Sequence, residues 1–190
     1  FDGVEVHGAN GYLIDQFLRD TPNQRTDAYG GSLENRARLL FEVLTAVTQA
    51  IGSERVGLRL SPLNSFNSMK DSDPLALIGF LADKLNAFKL AYLHVMRADF
   101  FGVQKADVMP VAREKYKGVL VGNMGYSADE AEAAIAEGKL DAVAFGTAFL
   151  ANPDLPARIR AKAPLNAPDS NTFYAGGAKG YTDYPTLQVA

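Results

Sequence analysis

The chain has 190 residues, 47% hydrophobic and 22% charged, with a formal net charge of −3. That supplies enough apolar material for one soluble domain, and the mild acidity argues against nucleic acid as a partner, since phosphate neutralisation needs a clustered basic surface. No apolar run reaches bilayer length, the first residues lack a signal-peptide pattern, and zero Cys excludes disulfides, thiolate metal sites and thiolate-held iron–sulfur clusters.

The chain opens on Phe1-Asp2-Gly3-Val4-Glu5-Val6 without Met, and a β-type run begins almost at once, which reads as a segment of a longer protein. Strands are expected at Val4–His7, Val56–Leu60, Tyr92–Met96, Val119–Val121 and Ala142–Phe145. Between the first two lies Gly8–Gly31, expected to be irregular. Leu33–Ile51 then carries Leu33, Ala37, Leu40, Leu44, Val47 and Ile51 at helical spacing, with Ser32 as N-cap and Gly52 as terminator. Pro74 is placed to start a helix running to about Phe88. Further helices are expected at Ala106–Tyr116, after the capping box Ser127–Glu130 up to Gly138, and at Pro153–Ala161. Pro164–Ala190 is a Gly-, Pro- and Tyr-rich tail, expected to pack near the active-site face. Asp71 and Asp73 lack partners at metal-ligand spacing and read as a solvated loop, so no metal site is expected.

Strand–helix repetition predicts an α/β fold with a parallel sheet. Five βα units amount to the C-terminal portion of a (β/α)8 TIM barrel, strands four to eight, forming a single domain over residues 1–190. A doubly wound sheet is the competing architecture. The barrel is favoured because polar residues follow the strands at their C-terminal ends, where barrels place their active sites: His7, Arg59, Arg97, Asn123 and Gly146-Thr147.

His7-Gly8-Ala9-Asn10-Gly11-Tyr12 is the densest of these groups. Imidazole and amide N–H groups are neutral donors that can converge on one oxygen and stabilise charge developing there. The Tyr12 phenol can protonate a carbanion or enolate formed nearby. Arg59 shares its strand face with Gly57, and a guanidinium pointing into a barrel requires an anionic or electron-rich partner; an internal salt bridge to Glu5 is one possibility. Gly122-Asn123-Met124-Gly125 and Gly146-Thr147 occupy loops where barrels bind phosphate. His94 reads as a buried, hydrogen-bonded core histidine. Asp99-Phe100-Phe101 opens the following loop, where an aromatic could line a substrate pocket.

Taken together, these motifs closely resemble the old yellow enzyme family. The resemblance runs through His7–Tyr12, Asp15–Leu18, Arg25–Arg36, Val56–Pro62, Tyr92–Val95, Gly122-Asn123, Phe145-Gly146, Ala151–Leu155, Phe173-Tyr174 and Gly180–Thr186, essentially the whole chain. It implies a barrel that holds FMN noncovalently, is reduced by NADPH and reduces the C=C bond of an α,β-unsaturated carbonyl or nitro compound. It further implies that His7 and Asn10 bind the substrate oxygen, Tyr12 protonates the α-carbon, Arg59 lies beside the flavin, and Tyr174 approaches the mouth of the site. Cofactor contacts are implied at Gly122, Asn123, Met124, Gly146 and Thr147. Many family members have Arg where this chain has Thr147, so a charge-assisted phosphate contact is missing there.

Zero Cys argues against the dienoyl-CoA reductase branch, whose cluster is Cys-bound. The residues alone leave two other readings open: a barrel isomerase or lyase binding a phosphorylated substrate, and a catalytically incomplete barrel. An incomplete barrel exposes sheet edges, so the isolated 190 residues are expected to aggregate or to bind FMN poorly. The expected partners are small molecules, with neither nucleic acid nor membrane, in a reducing cytoplasm.

Overall fold

A computed structural model describes residues 1–187, so the last three residues of the expected tail lie outside it. The chain divides into two compact units, Phe1–Val143 and the residues from Ala144 onward.

The first unit is built on parallel strands β1 (Val4–Gly8), β2 (Val56–Leu60), β3 (Tyr92–Met96) and β4 (Leu120–Asn123), and the sheet ends on β5 (Ala142–Ala144), at the boundary of the two units, in the order β1-β2-β3-β4-β5. Sequential order with every connection crossing over is the topology of repeated βα units. The register runs Val6↔Leu58↔Leu93↔Leu120, and the last three of these are wholly buried. This row faces the helices. Burying each such side chain contributes about 1.5–3 kcal/mol, which fixes the register, since a one-residue slip would turn the row to the opposite face.

Helix α1 (Leu13–Leu18) follows β1, so the stretch 8–31 is not wholly irregular as expected. Helix α2 (Leu33–Ile51) has the expected bounds: Ser32 Oγ accepts the Asn35 N–H at 3.3 Å, and Ala37, Leu40 and Leu44 are fully buried. Helix α3 (Pro74–Leu85) starts at its proline, capped by Asp73 Oδ1 at 2.9 Å from the Ala76 N–H, and tightens into a 3-10 turn at Asn86–Phe88. Helix α4 is Val108–Lys115 and α5 is Ala128–Ala136. Ser127 caps α5 at 3.1 Å, but only half of the expected capping box forms, because the Glu130 carboxylate turns to Arg97.

Asp71 corrects another expectation. It is 6% exposed and paired with Arg36 at 2.8 Å, and the same Arg36 Nη1 also donates to the Leu18 carbonyl. It ties α1, α2 and the start of α3 together. Asp73, the α3 cap, is likewise more than a solvated loop residue.

In the second unit, α6 (Thr147–Ala151) was not expected and α7 is Leu155–Ala161. Among the described residues of the tail, no element is longer than a 3-10 turn at Ser170–Thr172. Buried Arg158 fastens it, with Nε 2.7 Å from Asp154 Oδ1, Nη1 2.7 Å from the Pro164 carbonyl and Nη2 2.8 Å from that of Pro185.

Candidate active site

Strand alternation puts the residues between those of the buried row on the opposite face. That second row is His7↔Arg59↔His94↔Val121, with Glu5 and Tyr92 below it and Met96↔Asn123 above. One face of the sheet is therefore apolar and covered by helices, while the other carries two histidines, an arginine, a carboxylate and an amide. Arg59 Nη2 donates to Asn123 Oδ1 at 3.0 Å. The possible salt bridge to Glu5 is not what forms: Glu5 Oε2 lies 2.9 Å from His94 Nδ1. His94 is a buried core histidine as expected, although its Nε2 is buried without a partner among the described residues.

These contacts set the charges. Burial pulls the His7 pKa below its ordinary value, the Arg59 cation pulls the same way, and Glu5 and the Ala9 backbone only partly offset them. His7 is thus a neutral imidazole at neutral pH. Burial raises Glu5, but its hydrogen bonds with His94 and Tyr92 and the nearby Arg59 cation outweigh this and hold it below the ordinary range. Arg59 is pulled down by burial. Gly57 has a steric role here, since a Cβ would lie 2.3 Å from Tyr92 Cζ, so glycine lets that ring cross β2 and reach Glu5.

The chain after His7 turns sharply, with Asn10 at φ 58° and Gly11 at φ 70°. Tyr12 then stands at the N-cap of α1, half exposed, its ring centroid 5.8 Å from that of His7. The turn is held on every side. Asn10 N–H donates to Ser61 Oγ at 2.7 Å, Gly11 N–H to Asp15 Oδ2 at 2.8 Å, and Gln16 Nε2 to the Gly11 carbonyl at 2.7 Å. Burial pushes Asp15 up to about 6, against the opposing pull of Arg19 and the Gly11 amide.

Sequence reasoning missed this supporting layer. Ser61 and Asn64 belong to the loop after β2, and Asp99 to the loop after β3. The Asp99 carboxylate accepts the Ser65 N–H and Oγ–H and the N–H groups of Phe101, Val103 and Gln104. Burial opposes ionisation, yet those donors hold it at about 2. A polar residue just beyond a strand end was the available signal, but its partners lie too far along the chain to read.

In the loop after β4, Met124 (φ 85°) and Gly125 (φ 71°) form a tight turn. Arg97 holds it by donating to the Met124 and Gly125 carbonyls at 2.8 and 2.9 Å, while pairing with Glu130 and lying 3.6 Å from the Tyr126 ring centroid. Arg97 is thus a brace for that turn. In the second unit, Gly146 and Thr147 are exposed at the start of α6, and Tyr174 is 97% exposed. A cavity of about 680 Å³ lies between α4 and α5, lined by Met109, Arg113 and Leu140 among others. Its lining also includes Arg97, Tyr126 and Glu130, the groups that brace the turn after β4.

The donor set suits an electron-rich, planar cofactor. Arg59 is a partly buried cation with no carboxylate paired to it among the described residues, beside a neutral imidazole and an amide. No group of three or more His, Cys, Asp or Glu that could hold a metal occurs among the described residues. None of the described helices is long and apolar enough to cross a membrane.

Residues 1–166 match the model of the NADH:flavin oxidoreductase / NADH oxidase family, and the chain belongs to that family. It is 61% identical over 188 residues to a probable flavin mononucleotide-dependent alkene reductase of Leishmania infantum, covering 98% of this chain and 51% of the relative. It is 44% identical to 12-oxophytodienoate reductase 2 of Arabidopsis thaliana, over 99% of this chain and 52% of that protein. The old yellow enzyme from Trypanosoma cruzi superposes with a TM-score of 0.97 at 47% identity, over 99% of this chain and 50% of that one. Morphinone reductase superposes at 0.93 with 47% identity, over 98% and 51%. The chain spans about half the length of the relatives it matches, and its sheet is the C-terminal portion of their TIM barrel. The TIM barrels of these relatives decide against the doubly wound sheet.

Proposed function

We propose that the protein carrying this chain is an FMN-dependent ene-reductase, with NADPH as reductant, acting on α,β-unsaturated carbonyl or nitro compounds. The observation that carries this reading is the register pair His7↔Arg59, with Tyr12 beside His7: a neutral donor, a cation and a phenol at the C-terminal ends of neighbouring strands. FMN held beside Arg59 would supply the hydride chemistry of the reduction. Arg59 favours the electron-rich, reduced cofactor through its positive charge. The His7 N–H and the Asn10 amide hold the substrate oxygen and stabilise the charge that builds on it. Tyr12 Oη delivers its proton to the α-carbon, so both carbons of the double bond become saturated.

Gly122, Asn123, Met124, Gly146 and Thr147 would hold the cofactor's polar end. Thr147 offers a hydroxyl and no charge, which predicts weaker phosphate binding than an Arg would give. Tyr174 would meet the substrate at the mouth. A reducing, cytoplasmic setting is compatible with the Cys-free composition.

The test is spectroscopic. The intact protein should be yellow, bleach anaerobically with NADPH and regain its colour on addition of cyclohexenone. A colourless protein, or a bleached one indifferent to the enone, contradicts the reading. The family description names NADH; faster bleaching with NADH than with NADPH would correct the reductant alone.

A further inference from the structure

We infer that Asn64 is a positioning residue that fixes which end of the Asn10 side-chain amide faces the ligand. The inference rests on Asn10 contacting the substrate oxygen. Asn64 is fully buried in the loop after β2. Its backbone is pinned, with N–H donating to the Ser61 carbonyl at 3.1 Å and its carbonyl accepting from Arg19 Nη1 at 3.4 Å. Its side chain is oriented too. Asn64 Oδ1 accepts the Phe66 N–H at 3.4 Å, which leaves Nδ2 to donate to Asn10 Oδ1 at 2.8 Å.

The consequence falls on Asn10. A side-chain amide can present either an acceptor or two donors, and the two orientations have nearly the same shape. With Oδ1 occupied by the Asn64 donor, Asn10 must present Nδ2, which has no partner among the described residues. The backbone cannot relax this choice, because Asn10 is held at φ 58° with its N–H on Ser61 Oγ. A donor is the polarity that binds an oxygen gaining negative charge, whereas a carbonyl oxygen turned to the same place would repel it. Asn64 therefore sets the sign of the contact while never touching the ligand.

Asn64→Asp is nearly isosteric and, when ionised, replaces the donor with acceptors, so the Asn10 amide should turn over to satisfy it. The probe is p-hydroxybenzaldehyde as its phenolate, titrated calorimetrically into the intact holoprotein as wild type, Asn10→Ala, Asn64→Asp and the double variant. Each single variant should weaken binding about tenfold or more, and the double variant should bind no more weakly than Asn10→Ala alone. Asn64→Ala, which removes the donor without adding charge, serves as second variant should Asn64→Asp fail to fold, with the same non-additivity expected.

The inference is overturned if the Asn64 variants bind like wild type while Asn10→Ala is weakened. It is equally overturned if the loss from the Asn64 variant persists in full in the Asn10→Ala background, which is the behaviour of a residue that only supports the loop. Unchanged binding by Asn10→Ala would instead remove Asn10 as the oxygen contact, and the positioning role with it.

Discussion

His7 and Arg59 stand side by side in register on neighbouring parallel strands, and the cation helps to keep the imidazole neutral. A neutral histidine donates a hydrogen bond without bringing a charge that must be desolvated. Removing the donor should therefore affect ligand binding more than stability. His7→Ala in the intact protein should weaken phenolate binding at least tenfold with little change in melting temperature. Calorimetry and thermal denaturation together check this, and unchanged affinity would remove His7 from the oxygen site.

Arg59 makes a different prediction. Arg59→Leu keeps the bulk but removes the cation from beside the proposed flavin, so FMN affinity should fall and the reduction potential should become more negative. Potentiometric titration of the flavin reads the second effect directly. An unchanged potential would leave Arg59 with a structural role only, through its contacts with Asn123 and Met96.

The turn between His7 and Tyr12 admits no side chain at Gly11. A Cβ there would lie 2.7 Å from the Phe66 carbonyl oxygen and 2.8 Å from Met69 Cγ, at φ 70°. Gly11→Ala should destabilise the protein by about 2 kcal/mol or more and should weaken ligand binding as the turn shifts. Chemical denaturation and the phenolate titration measure the two effects.

Asp15 links that turn to pH. Its folded pKa of about 6 lies above the ordinary 3.8, so the folded state favours the protonated acid. The stability this contributes is fully present below about pH 3.8 and is lost as pH rises through about 6. Asp15→Asn, which keeps an acceptor for the Gly11 N–H, should remove that loss. The stability difference between wild type and variant should move against the wild type between pH 4 and 6, as followed by urea denaturation at each pH. A constant difference would mean that Asp15 does not titrate in this range.

Much of this was legible in sequence because it is local. Alternation in β1 and β2 put Glu5 and His7 on one face and Arg59 on the corresponding one, and the 3.6-residue period of 33–51 gave α2 its bounds. Helix α1 escaped because six residues are too short to establish a period and its N-cap, Tyr12, makes no side-chain cap. The supporting contacts escaped for another reason. Asn10 meets Ser61 across 51 positions, Arg36 meets Asp71 across 35, and Glu5 meets His94 across 89. Only the βα windings bring these residues together, and no local pattern announces which polar side chain will answer another.

The most direct measurement of the proposed chemistry compares two half-reactions of Tyr12→Phe in the intact protein by anaerobic stopped flow. Tyr12 is half exposed, so losing its hydroxyl should not disturb the fold. Flavin reduction by NADPH should proceed at the wild-type rate, while reoxidation by cyclohexenone should slow by roughly 10²-fold or more. Equal slowing of both half-reactions, or of neither, would contradict the account of Tyr12 as the acid that completes alkene reduction.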